Sequence, residues 1–342
     1  MTALYFRSSQ ESGKETLFMK ELSNLLGYRE SIRVVDATLR DGGLVNDFYF
    51  TDEFAKNLYL TNLKAGVDYM EVGYKASKEI FDVEKFGKWK FCNDDDIFAV
   101  LGEGKEGLKL AAMADVGRCD YKTDILPASE SPLSMIRVAT YVNTIPGAVE
   151  MIEDAKKKGY EVTCNIMAVS NAQESDIKVA LDMIGRSSVD VIYIVDSFGS
   201  LYPEQIARIA ALYGEYAEKY HKTLGIHTHN NQQLALANTI EAVGDAVDWL
   251  DATYYGMGRG AGNCSMENLL GFLRNPKYNI FPALQFVQNY MVPLRESGTV
   301  WGYDMQYLMT GLLNQHPRTA IEYTKQGRRD FVEFYKEIVA QD

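Results

Sequence analysis

The sequence predicts an α/β fold, namely a (β/α)8 or TIM barrel with a helical extension at each end. Three observations support this fold class. Eight short β-rich runs can be counted, helical patterns separate most of them, and together they occupy roughly 245 residues, which suits such a barrel. A doubly wound open sheet is the alternative, but it usually has fewer strands, and no glycine-rich dinucleotide fingerprint follows the first run.

The N-terminal part begins with a polar lead, after which residues 16–26 carry apolar side chains at helical spacing. We predict a helical extension over residues 1–30 that either closes one end of the barrel or lies at an oligomer contact. Residues 32–38 form the first predicted strand, which leads into charged residues and a glycine pair. Thr51 then has the position and the side chain of an N-cap, and Gly66 ends the helix that it opens.

The middle of the chain repeats the alternation of strand and helix, so we predict a barrel domain over residues 31–275. The further predicted strands are residues 67–73, 110–116, 135–139, 161–167, 189–195, 224–228 and 249–253. The clearest helical patterns between them are residues 146–158, 175–186, 203–220 and 232–243.

The last part of the chain has helical patterns only, at residues 281–291, 304–313, 317–324 and 329–340. No Ser/Gly-rich linker precedes it. We therefore expect residues 276–342 to be a helical extension docked on the barrel rather than a freely moving domain.

Composition excludes several classes of function. The net charge of −12 argues against nucleic acid or an anionic membrane as the main partner. The four cysteines are scattered without a CxxC pair, which argues against a disulfide framework or a structural zinc site and favours a cytoplasmic location. No signal peptide is recognisable, and no run of apolar residues is long enough to span a membrane.

Two of the four histidines, His227 and His229, stand one residue apart at the end of a predicted strand. Side chains at positions i and i+2 of a strand point the same way, ~6–7 Å apart along the chain, so both imidazoles can reach one metal ion. The alternative is a pair of histidines that only form hydrogen bonds.

The other polar residues at predicted strand ends point to the same mouth of the barrel, where reactive groups of this fold gather. Asp41, after the first strand, is the best third ligand, although it could instead be a turn residue. Arg40 could hold an enolate oxygen or form a surface ion pair. Glu71, inside an apolar strand, could orient Arg40, support the metal or form a structural ion pair. The glycine-rich loop at residues 256–263 could cradle a phosphate or allow close packing.

Three stretches together resemble the DRE-TIM metallolyases, which contain an HMGL-like domain: Asp-Ala-Thr-Leu-Arg-Asp-Gly at residues 36–42, Gly-Ile-His-Thr-His-Asn-Asn at 225–231 and Gly-Met-Gly-Arg-Gly-Ala-Gly-Asn at 256–263. The superfamily includes 4-hydroxy-2-oxovalerate aldolases, hydroxymethylglutaryl-CoA lyase and the isopropylmalate and homocitrate synthases. The resemblance covers roughly residues 32–271 and implies a divalent-metal enzyme that acts on small 2-oxo acids.

The resemblance also implies roles for single residues. Asp41, His227 and His229 would bind the cation, which is expected to be Mn²⁺, with Mg²⁺, Co²⁺ or Zn²⁺ as alternatives. Asn263 stands where some members have a further ligand or a supporting amide. Arg40 would stabilise the oxygen of a metal-bound 2-oxo acid enolate.

One position departs from the aldolase pattern, because Leu44 stands where those enzymes have a catalytic histidine. Leucine cannot transfer a proton, so the candidates for the missing base are Asp47, Tyr303 and His316. Tyr303 lies in a segment, residues 300–307, that resembles the aldolase tail segment supplying an active-site tyrosine.

The overall layout is most similar to the aldolase-like branch, so we predict a lyase that cleaves or forms a 4-hydroxy-2-oxo acid. The alternatives are a Claisen-type synthase that joins an acyl-CoA to a 2-oxo acid, and a metal-binding barrel without turnover that serves as a partner subunit. A homo-oligomer is expected. The resemblance also implies an acylating aldehyde dehydrogenase as a possible partner.

Overall fold

The computed structural model describes residues 28–104 and 107–340, so the helix predicted at residues 16–26 lies outside the described residues. Eight parallel strands form a closed barrel in sequential order, with β1 paired to β8, and the predicted fold class is confirmed. The strands are β1 (Arg33–Asp36), β2 (Tyr69–Tyr74), β3 (Lys109–Asp115), β4 (Leu133–Thr140), β5 (Glu161–Ile166), β6 (Val191–Asp196), β7 (Thr223–Thr228) and β8 (Trp249–Ala252).

Helices surround the barrel and continue into the tail. Around the barrel they are α1 (Thr38–Gly42), α2 (Asp52–Ala65), α3 (Asp94–Leu101), α4 (Ile145–Lys157), α5 (Glu174–Arg186), α6 (Pro203–Tyr220), α7 (Ala235–Gly244) and α8 (Met266–Leu273). In the tail they are α9 (Ile280–Phe286), α10 (Val292–Glu296), α11 (Met305–Leu312), α12 (Arg318–Lys325) and α13 (Phe331–Val339). None of the described helices is long and apolar enough to cross a membrane.

The first full helix, α2, illustrates how local sequence sets the element boundaries. The Thr51 hydroxyl accepts a hydrogen bond from the backbone N–H of Phe54 at 3.1 Å, which is the predicted N-cap. Gly66 ends the helix in the left-handed conformation, with φ at 77°. A Cβ atom at Gly66 would lie 2.2 Å from the carbonyl oxygen of Lys277, so both the backbone angle and the packing require glycine.

A layer of polar side chains from the even-numbered strands fills the middle of the barrel. Glu71 on β2, Arg137 on β4, Tyr193 on β6 and Asp251 on β8 are all buried and lie in contact around Arg137. Four side chains from alternate strands are the normal composition of one layer in this fold, although such layers are usually apolar. A Cβ atom at Gly225 of β7 would lie 2.5 Å from the Tyr193 ring, so this glycine makes room for the layer.

The helical tail packs against the loops that follow β5, β6 and β7. The side-chain amide of Asn231 donates to the Tyr307 carbonyl at 3.2 Å, and Asn314 links the Ser200 hydroxyl (2.7 Å) to the Ser170 carbonyl (3.0 Å). Helices α11–α13 also share a small apolar cluster with Ala261 of the glycine-rich loop. The helical character of the tail is therefore confirmed, whereas the domain boundaries after residues 30 and 275 stay predictions.

Candidate metal centre and active-site cavity

Asp41, His227 and His229 meet at the mouth of the barrel, where β1 and β7 end. The ligand atoms that these three buried residues can offer all lie within 4.8 Å of one another. Asp41 Oδ2 is 3.0 Å from His227 Nε2 and 3.8 Å from His229 Nε2. Helix α1, a single turn directly after β1, carries Asp41 into this position. The sequence predicted an irregular loop at that place.

Hydrogen bonds on the far side of each imidazole orient the two histidines. His227 Nδ1 lies 3.0 Å from Asp251 Oδ2, and His229 Nδ1 lies 3.0 Å from the Asp196 carbonyl oxygen. Carboxylate and carbonyl oxygens only accept hydrogen bonds, so both Nδ1 atoms carry the proton when the rings are neutral. Each Nε2 atom then presents its lone pair toward Asp41, as a metal-ligating histidine does.

The residues at this site fit a divalent cation. The Nε2 lone pair of His227 and Asp41 Oδ2 are both acceptors, and their separation of 3.0 Å is unfavourable without a positive charge between them. Ligand atoms in neighbouring positions of an octahedral ion with ~2.1 Å bonds lie roughly 3.0 Å apart. Within the described part of the chain, the buried atoms Asp41 Oδ1 and Asn263 Oδ1 also have no hydrogen-bond partner.

Asn263 joins the site through Asp41. Its side-chain amide donates to Asp41 Oδ2 at 2.7 Å and lies 3.3 Å from the Met257 carbonyl oxygen. In this orientation Asn263 supports the carboxylate, and its role as a direct metal ligand stays a prediction. The glycines around it allow close packing, since a Cβ atom at Gly258 would lie 2.4 Å from the Asn263 amide nitrogen.

The charges around the site favour an ionised Asp41 and a neutral His229. Burial opposes ionisation of Asp41, but Arg40 and the two histidines outweigh it and hold its pKa well below its ordinary value. Burial is the main influence on His229 and lowers its pKa to about 3. Burial also disfavours the charged form of His227, but hydrogen bonds with Asp251 and Asp41 raise its pKa overall, so a metal ion would have to displace a proton there.

A buried chain of ion pairs connects the metal ligands to Arg40. Arg40 Nε donates to Glu71 Oε2 at 2.7 Å, and the orienting role of Glu71 stays a prediction beside that of a structural ion pair. The Arg137 guanidinium lies 3.1 Å from the same Glu71 oxygen and donates to Asp251 Oδ2 at 2.7 Å. Asp251 in turn holds His227, so one guanidinium aligns both the arginine and the histidine of the site.

Sequence reasoning missed Arg137 and Asp251. The signal was present, because each is a charged residue within a predicted apolar strand, and such residues are rarely buried without a partner. What the sequence could not supply was the identity of those partners, since Glu71, Arg137 and Asp251 come from three different strands.

A cavity of about 70 Å³ opens over the metal site. One ordered water needs roughly 10–15 Å³ by the same measure, so the site suits a small ligand. Besides Arg40, Asp41 and the two histidines, the cavity is lined by Leu44, Tyr74, Met113, Ala139, Asn165, Met167, Val195, Ser197 and Arg259.

The three candidates for the missing base lie outside the lining of this cavity. Asp47 is exposed in the loop after α1, with φ at 52°. Tyr303 is 43% exposed and borders a separate depression beside Trp301. His316 accepts a hydrogen bond from the backbone N–H of Arg318 at 3.1 Å and so caps α12. Catalytic roles for Asp47 and Tyr303 stay predictions, and either would require its loop to move.

We expect Asp251→Asn to weaken metal binding on the order of 10–100-fold while the three ligands remain in place, because His227 loses its charged hydrogen-bond partner. The dissociation constant for Mn²⁺, measured by calorimetric titration of metal-free protein, checks this. Asp248→Asn is the matched control, since Asp248 precedes the same strand at the opposite end of the barrel and pairs with Arg29. Equal dissociation constants for Asp251→Asn and the unmodified protein would contradict the supporting role.

Comparisons with known proteins agree with this geometry. A family model described as HMGL-like matches residues 31–288, well over half of the chain. The chain is 30% identical over 249 residues to the oxaloacetate decarboxylase of Mycobacterium tuberculosis, and the match covers 72% of this chain and 71% of that protein. It is also 30% identical over 253 residues to the 4-hydroxy-2-oxovalerate aldolase of Pelotomaculum thermopropionicum, with 73% and 72% covered.

A solved structure supports the same conclusion. The N-terminal domain of a candidate aldolase from Bacteroides vulgatus superposes with a TM-score of 0.75 at 27% identity and covers 86% of this chain and 96% of its own. The predicted membership of the DRE-TIM superfamily is thus confirmed by the family model and by relatives that match more than two thirds of the chain. The chain belongs to the HMGL-like family and is an enzyme of the lyase and aldolase type.

Proposed function

We propose that the protein is a divalent-metal-dependent carbon–carbon lyase that cleaves or forms a 4-hydroxy-2-oxo acid through the enolate of a 2-oxo acid, with Mn²⁺ as the expected ion. One observation carries this proposal: the cluster of Asp41, His227 and His229 lines the same small cavity as a guanidinium, that of Arg40, which is held in place by Glu71. Relatives named 4-hydroxy-2-oxovalerate aldolase support the choice of substrate class.

The cation, when bound, supplies a Lewis acid that polarises the ketone of a 2-oxo acid. Arg40 supplies a second positive group. Its Nε donates to Glu71 and its Nη1 lies 3.4 Å from Asp41 Oδ2, so N–H groups remain on the outer nitrogens that can donate to an oxygen that gains negative charge. Because the ion-pair chain already fixes the guanidinium, little reorganisation is needed during the reaction. In the cleavage direction the C4 hydroxyl loses its proton and the C3–C4 bond breaks. Its electrons form the enolate, which then takes a proton at C3.

The proton of the C4 hydroxyl needs an acceptor, and few of the residues that line the cavity can accept one. Apart from Asp41 and the two histidines, the described lining residues contain no carboxylate and no imidazole. Tyr74 and Ser197 contribute hydroxyl groups there. Burial raises the pKa of Tyr74, so this phenol stays neutral and can pass a proton only through its hydrogen bonds.

This shortage of a base favours a second candidate function, the decarboxylation of a 2-oxo acid that carries a carboxylate on C3. In that reaction carbon dioxide departs and the electrons of the broken bond form the same enolate, so no hydroxyl proton has to be removed. The presence of Leu44 in place of the catalytic histidine of the aldolases would then not impair the reaction. The relative named oxaloacetate decarboxylase supports this alternative.

Deuterium exchange into the methyl group of pyruvate tests the enolate chemistry that both candidates share. We expect mass spectrometry to detect exchange with Mn²⁺, to lose it after chelation and to recover it when Mn²⁺ is returned. Arg40→Lys should slow exchange on the order of 10²-fold, because lysine keeps the charge but cannot bind Glu71 and the substrate oxygen together. Metal content of this variant should be unchanged. Absence of exchange with every 2-oxo acid tried would overturn the proposal.

Product analysis separates the candidates. A 4-hydroxy-2-oxo acid that yields pyruvate and an aldehyde supports the aldolase, whereas oxaloacetate that yields pyruvate and carbon dioxide faster than the metal ion alone supports the decarboxylase. Release of free thiol from acetyl-CoA with a 2-oxo acid would instead indicate the Claisen-type synthase.

We also propose that the protein forms a homo-oligomer and that it associates with an acylating aldehyde dehydrogenase. Light scattering gives the oligomeric state directly. Co-migration of the chain with an acylating aldehyde dehydrogenase from the same cells, in a complex that survives gel filtration, would support the partner that the resemblance to the aldolases implies.

A further inference from the structure

Arg259 is a second guanidinium that faces the cavity, and the proposed reaction leaves it without a role. It belongs to the glycine-rich loop after β8. One of its terminal nitrogens donates to the Ser197 carbonyl at a long 3.4 Å, and its buried Nε has no partner within the described part of the chain. Among residues 28–104 and 107–340, no carboxylate lies within ion-pairing distance of Arg259, in contrast to Arg40 and Arg137.

The neighbour of Arg259 on the other side is His316, whose ring is short of acceptors. Burial lowers the pKa of His316 to about 4, so the ring is neutral and has one acceptor nitrogen. Both ring nitrogens nevertheless face donors: Nδ1 lies 3.1 Å from the backbone N–H of Arg318, and Nε2 lies 3.3 Å from Arg259 Nη1. A neutral ring can accept only one of these two hydrogen bonds, so Arg318, His316 and Arg259 together present more donors than acceptors.

The charges around the cavity also indicate that Arg259 lacks an anionic partner in the part of the chain that the structure describes. Arg40 and Arg137 are balanced by Glu71 and Asp251. Among the charged side chains that line the cavity, Asp41 offsets half the charge of a divalent cation and Arg259 adds one further positive charge, so with the cation bound these lining groups carry two positive charges in excess. A 2-oxo acid with one carboxylate neutralises only half of this excess, whereas a dicarboxylic 2-oxo acid neutralises all of it.

We propose that Arg259, with His316 behind it, forms a subsite for a second carboxylate, so that the substrate is a short dicarboxylic 2-oxo acid. This inference rests on the proposed function for the position of the first carboxylate and the ketone at the metal site. Arg259 lines the cavity and can hold a carboxylate through two parallel hydrogen bonds. The small cavity restricts the substrate to a short carbon chain.

The test compares the binding of two ligands with carbon chains of equal length, 2-oxoglutarate and 2-oxopentanoate, which differ in the terminal carboxylate. Calorimetric titration uses the full-length, Mg²⁺-loaded protein. We expect the diacid to bind at least about 10-fold more tightly than the monoacid, as a charge-assisted pair allows. Arg259→Gln should reduce this preference to within about 2-fold. His316→Asn should reduce it less than Arg259→Gln does, since Arg259 keeps its charge and its paired N–H groups and loses only a neighbour.

Arg208→Gln is the matched control, because it removes the same charge from an exposed site paired with Glu174 and should keep the full preference. Equal binding of the two acids by the unmodified protein, or a preference that survives Arg259→Gln, overturns the subsite. If Arg259→Gln does not fold, Arg259→Lys takes its place in the test. Lysine keeps the charge without the paired hydrogen bonds, so we expect an intermediate preference for the diacid. Pyruvate lacks a second carboxylate, so its deuterium exchange does not depend on the subsite. If exchange occurs but the diacid binds no more tightly than the monoacid, the subsite alone is rejected. If the diacid binds more tightly but no exchange occurs, the proposed reaction is rejected.

Discussion

Replacing His229 with asparagine should remove the bound divalent cation and reduce turnover on the order of 10³-fold. His229 is the cleanest candidate ligand to replace, because burial keeps it neutral and, among the described residues, its side chain forms a hydrogen bond only with the Asp196 carbonyl. The ion-pair chain through Arg40, Glu71 and Arg137 does not include it. Loss of activity in His229→Asn would therefore report the loss of a ligand rather than a disturbed charge network.

Metal content by atomic emission and pyruvate exchange by mass spectrometry measure the two effects separately. His221→Asn is the matched control: His221 is exposed at the end of α6 with φ at 55°, a conformation that asparagine tolerates. We expect this variant to bind the metal as the unmodified protein does. Full metal content in His229→Asn would show that His229 is not a ligand.

Replacing Arg137 with methionine should lower the free energy of unfolding by about 3–5 kcal/mol, because removal of one partner leaves uncompensated charge in the barrel interior. Glu71 and Asp251 are both buried, and Arg137 contacts both carboxylates at 3.1 and 2.7 Å. The guanidinium also lies over the Tyr193 ring, 4.5 Å from its centroid, a contact that methionine cannot replace.

Urea unfolding of the metal-free protein measures this effect without a contribution from ligand binding. The double variant Arg137→Met, Asp251→Asn should regain part of the lost stability, because the charge left unpaired by the first change is removed by the second. A loss below about 1 kcal/mol in the single variant would indicate that Arg137 contributes little to folding, and its contacts with Glu71 and Asp251 would then serve alignment of Arg40 and His227 alone.

Much of the fold follows from local signals in the sequence. The β-rich runs and the helical patterns predict eight strands in sequential order, and the Thr51 cap and the Gly66 stop are set by interactions within a few residues. The pair of histidines at the end of β7 is local in the same sense, since the two-residue repeat of a strand directs both side chains to one face. Arg40 and Asp41 were predicted from their position after the first strand.

The contacts between residues that are distant in the chain form only when the barrel closes. Asp41 and His227 are far apart in the chain, yet pairing of β1 with β8 and of β7 with β8 brings Asp41 Oδ2 and His227 Nε2 to 3.0 Å. Arg137 and Asp251 look like isolated charges in their own strands, and only the packing of alternate strands makes them partners. Likewise, the absence of an acidic partner for Arg259 among residues 28–104 and 107–340 is visible only in the assembled cavity. The sequence by itself therefore determined the strands and the candidate ligands, whereas the tertiary structure decided which charges are balanced, because ion pairing depends on distances that chain closure sets.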